Sequence, residues 1–139
     1  MKRSALTVLL PVVIYAISGT VAVNATLAKD FGIWKNPSNS VHIKIVLCGN
    51  ARCGVVVWAN EKAIADSRKG GTNELVGTML LKNFREQSKG KWKGKAVVPD
   101  IGKEFSGLAT IVDANTITVK GCMVLGVGCK SQTWTRISS

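Results

Sequence analysis

The sequence is poor in the groups that acid–base and nucleophilic catalysis require. It has one histidine, His42, one tyrosine, and 8 acidic residues against 19 basic ones. A serine or cysteine nucleophile needs a neighbouring base, and the alternation around His42 turns that ring toward solvent, so no catalytic triad is supported. Asp100, Glu104 and Asp113 could supply paired carboxylates, but each lies at a turn or strand start, where acidic residues are ordinary. Short C-x-x-C turns are absent, which argues against structural zinc. Helical periodicity is scarce, which argues against a bundle. The expectation is a protein that is not an enzyme, with no catalytic residue, metal or cofactor.

Charge is missing altogether from Ser4 to Ala28. Lys2 and Arg3 precede this stretch, Ala5 to Ile17 is apolar apart from the break at Pro11, and Val23 and Ala25 take the −3 and −1 positions of a cut before Thr26. Residues 1–25 therefore read as a signal peptide and 26–139 as a single exported domain, periplasmic or secreted. The competing reading is an uncleaved anchor, because the uncharged stretch is long enough to span a bilayer core of roughly 30 Å. The weakly apolar residues after Ile17 favour cleavage.

Of the 19 basic residues only Lys2 and Arg3 belong to the leader, so the exported part keeps 17 against 8 acidic ones, a formal charge of +9. Such a field attracts polyanions. An exported protein rarely meets nucleic acid, so the anionic envelope surface is the expected polyanion. The plainer reading is that the charge only keeps the domain soluble.

The four cysteines, Cys48, Cys53, Cys122 and Cys129, are even in number and suit an oxidising compartment, where four allow three pairings. From Val41 to Cys48 the chain alternates, with Val41, Ile43, Ile45 and Leu47 on one face. Gly49-Asn50-Ala51-Arg52 reads as the turn. If Cys48 stands opposite Cys53, then Ile45 meets Val56 and Ile43 meets Trp58, so the register that joins the apolar faces also aligns the cysteines. This favours a Cys48–Cys53 bridge, on the face away from the core. Cys122 and Cys129 bracket a later hairpin loop and form the second local pair.

Further along, Glu61 to Lys69 suits a short helix ended by Gly70-Gly71, and Thr78 to Gln87 a strand. Lys91, Lys93 and Lys95 alternate with inward Trp92, Gly94, Ala96 and Val98. Across the turn at Asp113-Ala114-Asn115, Ile111 meets Ile117, Ala109 meets Val119 and Gly107 meets Gly121. With a short first strand from Gly32 to Lys35 and a last one from Lys130 to Ile137, eight strands follow in sequence. The expected fold is all-β, an eight-stranded antiparallel up-and-down barrel, which leaves no exposed edge. An open sandwich is the alternative.

Gly32-Ile33-Trp34, Cys48-Gly49 to Cys53-Gly54 leading into Val57-Trp58, and the closing Ser131-Gln132-Thr133-Trp134-Thr135-Arg136 together resemble the exported bacterial family known as domain of unknown function 2147. Trp92-Lys93-Gly94-Lys95 through Pro99 and Gly102 to Phe105, and Val119-Lys120-Gly121-Cys122, are similar to further motifs of that family. Val98 and Phe105 stand where tyrosine is common. The resemblance implies a lipocalin-like (calycin) barrel in which Trp34 packs under Arg136 to close one end, a cation–π contact with a structural role.

Trp58 and Trp92 face the expected interior beside Gly54, Gly94, Ala96, Gly107, Ala109 and Gly121, which would leave space there. An eight-stranded barrel is just wide enough to be filled or to hold one small ligand. The ligand-pocket candidates are Ile43, Val56, Trp58, Trp92 and Phe105; the plainer reading is that these side chains fill a core. Lys89, Lys91, Lys93 and Lys95 form a basic outer row. The expected function is therefore a binding protein holding a small apolar or amphipathic molecule in a β-barrel. The alternative is an envelope-interaction protein whose lysine-rich face binds anionic lipid or glycan.

Overall fold

A computed structural model describes residues 32–122 and 128–139; the leader expected at 1–25 lies outside them. Eight antiparallel strands close into a barrel in chain order. They are β1 (Ile33–Lys35), β2 (Val41–Cys48), β3 (Ala51–Ala59), β4 (Met79–Ser88), β5 (Lys91–Val98), β6 (Lys103–Asp113), β7 (Thr116–Cys122) and β8 (Lys130–Ser138), with one helix, α1 (Glu61–Lys69), between β3 and β4. The closing pairs run from Trp34 to Arg136 and from Lys35 to Thr135. Closure removes the open-sandwich alternative and leaves no free edge.

Turn chemistry sets most of the registers. Gly49 and Gly90 occupy positive φ (65° and 75°) in two-residue turns, where glycine carries no Cβ penalty. Asp113 Oδ1 accepts from the Asn115 amide at 2.8 Å, and Ile111–Ile117, Ala109–Val119 and Gly107–Gly121 pair as the sequence suggests.

The β2–β3 hairpin departs from expectation in two ways. Only Gly49 and Asn50 form the turn, so Ala51 pairs with Cys48 and Arg52 with Leu47 inside the ladder. Cys53 then stands opposite Val46, and its bridge to Cys48 runs diagonally across the hairpin, with Cα atoms 5.9 Å apart. Cys53 is only 1% exposed, so the bridge is not a solvent-facing staple. Further along, Ile43 pairs with Val56 but His42 with Trp58, leaving Val57 as an extra residue. This β-bulge reverses the alternation, and Val57 and Trp58 both turn outward, Trp58 being 43% exposed. The second disulfide joins Cys122 and Cys129.

The middle of the barrel is filled. Ile43, Val56, Leu81, Phe84, Ile117, Val119 and Trp134 are all buried in one cluster. The strand glycines do not leave the expected free space. A Cβ on Gly107 would lie 2.8 Å from Phe84 Cζ and one on Gly94 2.6 Å from Phe84 Cδ2, because the Phe84 ring lies over both; Gly54 is similarly crowded by Ile43 and Leu81. Only at Gly121, among these glycines, would an added Cβ meet nothing within 4 Å among the described residues.

Alternating loops give the barrel two unlike ends. The turns β2–β3, β4–β5 and β6–β7, together with Gly32 and Ser139, lie at one end; α1, the connections β1–β2 and β5–β6, the end of β7 at Cys122 and the start of β8 at Lys130 lie at the other. Asn60 caps α1, accepting from the Ala63 amide at 2.8 Å, while its own amide donates to Ser40 O. At the far end Gly70 packs so tightly on the β5–β6 turn that a Cβ would overlap the Pro99 carbonyl oxygen. Ser67, 1% exposed, donates to Ile64 O at 2.8 Å. The helix is thereby held at both ends across one opening of the barrel.

Candidate functional site

Two chambers flank the filled middle layer. The larger, about 810 Å³, lies under α1. Its walls are apolar, from Val41, Leu80, Ala96, Phe105, Val119 and Trp134, and open beside Gly121. Its rim is polar, with Asn36, Ser38, Asn60, Asp66, Lys130 and Gln132. Asn36 is fixed by the Ser40 and Val41 amides, which donate to its Oδ1 at 2.8 and 3.0 Å. On α1, Lys62 donates to Asp66, and that hydrogen bond holds the Asp66 carboxyl below the usual carboxylate range.

The smaller chamber, about 110 Å³, lies at the opposite end. Ile45, Leu81, Phe84 and Ile117 form its apolar walls, and Trp34, Trp92, Arg52, Arg136 and Asp113 complete it. Each tryptophan lies under a guanidinium: Arg136 sits 4.4 Å from the Trp34 ring centroid and Arg52 4.4 Å from that of Trp92. Arg136 Nε also donates to Ala114 O at 2.8 Å, tying β8 to the β6–β7 turn. The indole Nε1–H groups of Trp34 and Trp92 are buried without a hydrogen-bond acceptor among the described residues. A buried donor left unsatisfied costs on the order of 1–3 kcal/mol.

Residues 32–136 match the model of a bacterial family described as "Uncharacterized protein conserved in bacteria (DUF2147)". The chain belongs to the DUF2147 family. No curated protein matches it. Among solved structures it is similar to protein HP1028 from Helicobacter pylori, described as belonging to the lipocalin family, at 15% identity and a TM-score of 0.62 over 79% of this chain and 84% of that one. That likeness concerns the fold: the DUF2147 chain is a lipocalin-like barrel.

The five pocket candidates of this DUF2147 protein do not share one pocket. Phe105 lines the large chamber and Trp92 the small one, while Ile43 and Val56 belong to the packed layer between them. Trp58 lines neither chamber: the Val57 bulge places it outside, stacked on His42 with ring centroids 4.5 Å apart. His42 Nε2 lies 2.7 Å from Asn39 Oδ1, and burial, with the Lys35 ammonium, holds its pKa below the ordinary value. Val119 and Trp134 sit at inward positions of strands already placed, so the alternation alone could have found them. Arg52 was hidden by the longer turn.

Lys89, Lys91, Lys93 and Lys95 are exposed. Across the sheet Lys93 pairs with Arg85, and Lys95 with Lys82. Lys82 donates to Glu104 Oε2 at 2.9 Å. Among the described residues no group of three His, Cys, Asp or Glu is placed to hold a metal ion.

Proposed function

We propose that this protein is an exported, non-enzymatic carrier that holds one small apolar or amphipathic molecule in the chamber under α1. The observation that carries this reading is that chamber's size and lining. At about 810 Å³ it falls within the range of roughly 300–1,000 Å³ of small-molecule sites, with apolar walls and a few polar groups at the rim. An apolar body fits against Val41, Phe105, Val119 and Trp134, while a polar end reaches Asn60, Gln132 or Lys130. The leader pattern of residues 1–25 and the two disulfides support export.

Gly121→Leu tests the reading, because the new side chain enters open space within the chamber. Native mass spectrometry of protein purified gently from the periplasm is expected to show an adduct that disappears on denaturation. A fluorescent fatty acid is expected to bind the wild type and at least about tenfold more weakly to the variant. Equal binding by both proteins would sink the reading.

A second reading, docking on anionic lipid or glycan, is favoured by one observation. Arg85 directly opposes Lys93, and Lys82 opposes Lys95, although like charges at such positions are destabilising. A face kept cationic at that expense suits a polyanionic surface.

A further inference from the structure

Charge and apolar surface are divided unequally between the two ends of the barrel. Glu61, Asp66, Glu74, Asp100 and Glu104 all lie on α1, in the loop after it or at the β5–β6 connection. The ion pairs Lys62–Asp66, Lys69–Asp66 and Lys82–Glu104 belong to this group. The opposite end keeps only Glu86 and Asp113 among the described residues, and a turn occupies each. Glu86 Oε1 accepts from the Gly90 amide at 3.1 Å, and Asp113 Oδ1 from the Asn115 amide. Arg85, Lys89 and Lys91 are exposed at that end with no carboxylate paired to them among the described residues. We propose that this end of the barrel docks on an anionic lipid bilayer, with an apolar rim entering the headgroup region and the cationic side chains on the lipid phosphates.

Aliphatic side chains form the rim on one half of the opening. Leu47, 66% exposed, stands on β2 next to the Gly49-Asn50 turn, and Val112, 60% exposed, on β6 beside Ile111 and the Ala114-Asn115 turn. Ile137 on β8 is exposed and level with that turn, because the neighbouring Arg136 amide donates to Asn115 O at 2.9 Å. In barrel order these strands run β6, β7, β8, β1, β2; β4 and β5 bring Arg85, Lys89 and Lys91 to the other half. Single exposed aliphatic residues are ordinary on a soluble domain. A ring of them around one opening, faced by a cationic half, makes that end amphipathic.

Each half matches one layer of a membrane surface. Aliphatic side chains gain at the boundary between headgroups and acyl chains. Cations gain from the negative surface potential, by up to about fivefold in affinity for each Lys or Arg. Lysine stems can lie over apolar surface while the ammonium reaches phosphate. A fluid bilayer conforms to separate side chains around an opening, which a rigid protein partner would have to fill. The chain also enters the barrel on this side: Gly32 lies here beside Ser138, and the uncharged stretch from Ser4 to Ala28 precedes it. The proposal rests on the second reading above for the anionic surface. It adds that the surface is lipid and that the barrel meets it end-on, not with the β5 lysine row laid flat.

The test uses the protein purified from the periplasm and vesicles of phosphatidylglycerol and phosphatidylcholine in equal parts, with pure phosphatidylcholine as the neutral control. The triple variant Leu47→Thr, Val112→Thr, Ile137→Thr changes only exposed side chains, and threonine suits strands. It is expected to stay folded and to bind the anionic vesicles at least about tenfold more weakly, since burying one large aliphatic side chain is worth that factor. Orientation is read from two further variants with brominated acyl chains in the vesicles. Val112→Trp is expected to be quenched beyond wild type, and Ile101→Trp, exposed in the β5–β6 turn at the far end, is not. Equal anionic-vesicle binding by wild type and triple variant, or quenching of Ile101→Trp alone, would overturn end-on docking while leaving the second reading intact. Equal binding of wild type to neutral vesicles would overturn it too. Binding to dextran sulfate without vesicle binding would reject the proposal and turn the second reading toward glycan; binding to neither would remove both. A dimer seen by sedimentation and lost in the triple variant, again without vesicle binding, would assign the rim to a second copy and reject the proposal.

Discussion

The Phe84 ring occupies the space that a side chain on Gly94 would need, with only 2.6 Å between its Cδ2 and the position of an added Cβ. The ring lies across the glycine row of β5 and β6 and forms part of the layer between the two chambers. Gly94→Ala is expected to destabilise the domain by about 1–3 kcal/mol through overpacking. Phe84→Ala is expected to cost about 3–5 kcal/mol, because it leaves a cavity in the middle of the barrel. Urea unfolding measures both, and a Gly94→Ala midpoint equal to wild type would contradict the packing described.

The Cys48–Cys53 bridge closes a short loop, so its constraint on the unfolded chain is worth only about 2 kcal/mol. Cys48→Ser together with Cys53→Ala is expected to lose about that much. Cys48→Ser with Cys53→Ser is expected to lose more, because a hydroxyl would be left at a position that is 1% exposed. Denaturant midpoints under identical redox conditions give the comparison; equal losses would mean that the Cys53 site admits water.

His42 has a folded-state pKa below its ordinary value near 6.5, caused by burial first and Lys35 second. The unfolded chain therefore takes up this proton more readily than the folded one. The contribution is complete above about pH 6.5 and is lost as pH falls through that value and the lower folded pKa. His42→Gln is expected to flatten the stability profile between about pH 7 and 5. An NMR titration of the ring gives the folded value directly, and a midpoint at or above 6.5 would reverse the sign.

Relief of the Arg85–Lys93 opposition by Lys93→Gln is expected to stabilise the domain by about 0.2–1 kcal/mol at low salt. The gain should shrink as salt is added. The same substitution is expected to weaken binding to phosphatidylserine vesicles by up to about 1 kcal/mol. Stabilisation without any loss of vesicle binding would leave the lysine row as a solvated face and remove the docking reading.

The barrel itself was legible because its evidence is repeated along the chain. The alternation at Lys91, Lys93 and Lys95 and the pairing of Ile111 with Ile117 each fix a face, and eight such segments with short turns leave few other arrangements. The Val57 bulge was not legible, since one inserted residue changes no local pattern yet moves Trp58 from the lumen to the surface. The same limit applies to the glycines. Sequence places Gly94 and Gly107 inward, but whether their space is free depends on Phe84, which reaches it from a neighbouring strand. Arg52 was assigned to a turn because Ala51 carries no turn or strand signal. The small chamber became visible only when Arg52 was found over Trp92.

Gly32 lies beside Ser138 and Arg136, at the seam between β1 and β8 and at the end opposite α1. Whatever precedes Gly32 in the chain is thus attached on the side of the small chamber. The barrel has a front and a back: tethered through its N-terminus, it would present the large chamber away from the tether, open to the surrounding compartment, and keep the two arginine–tryptophan pairs next to the anchoring surface.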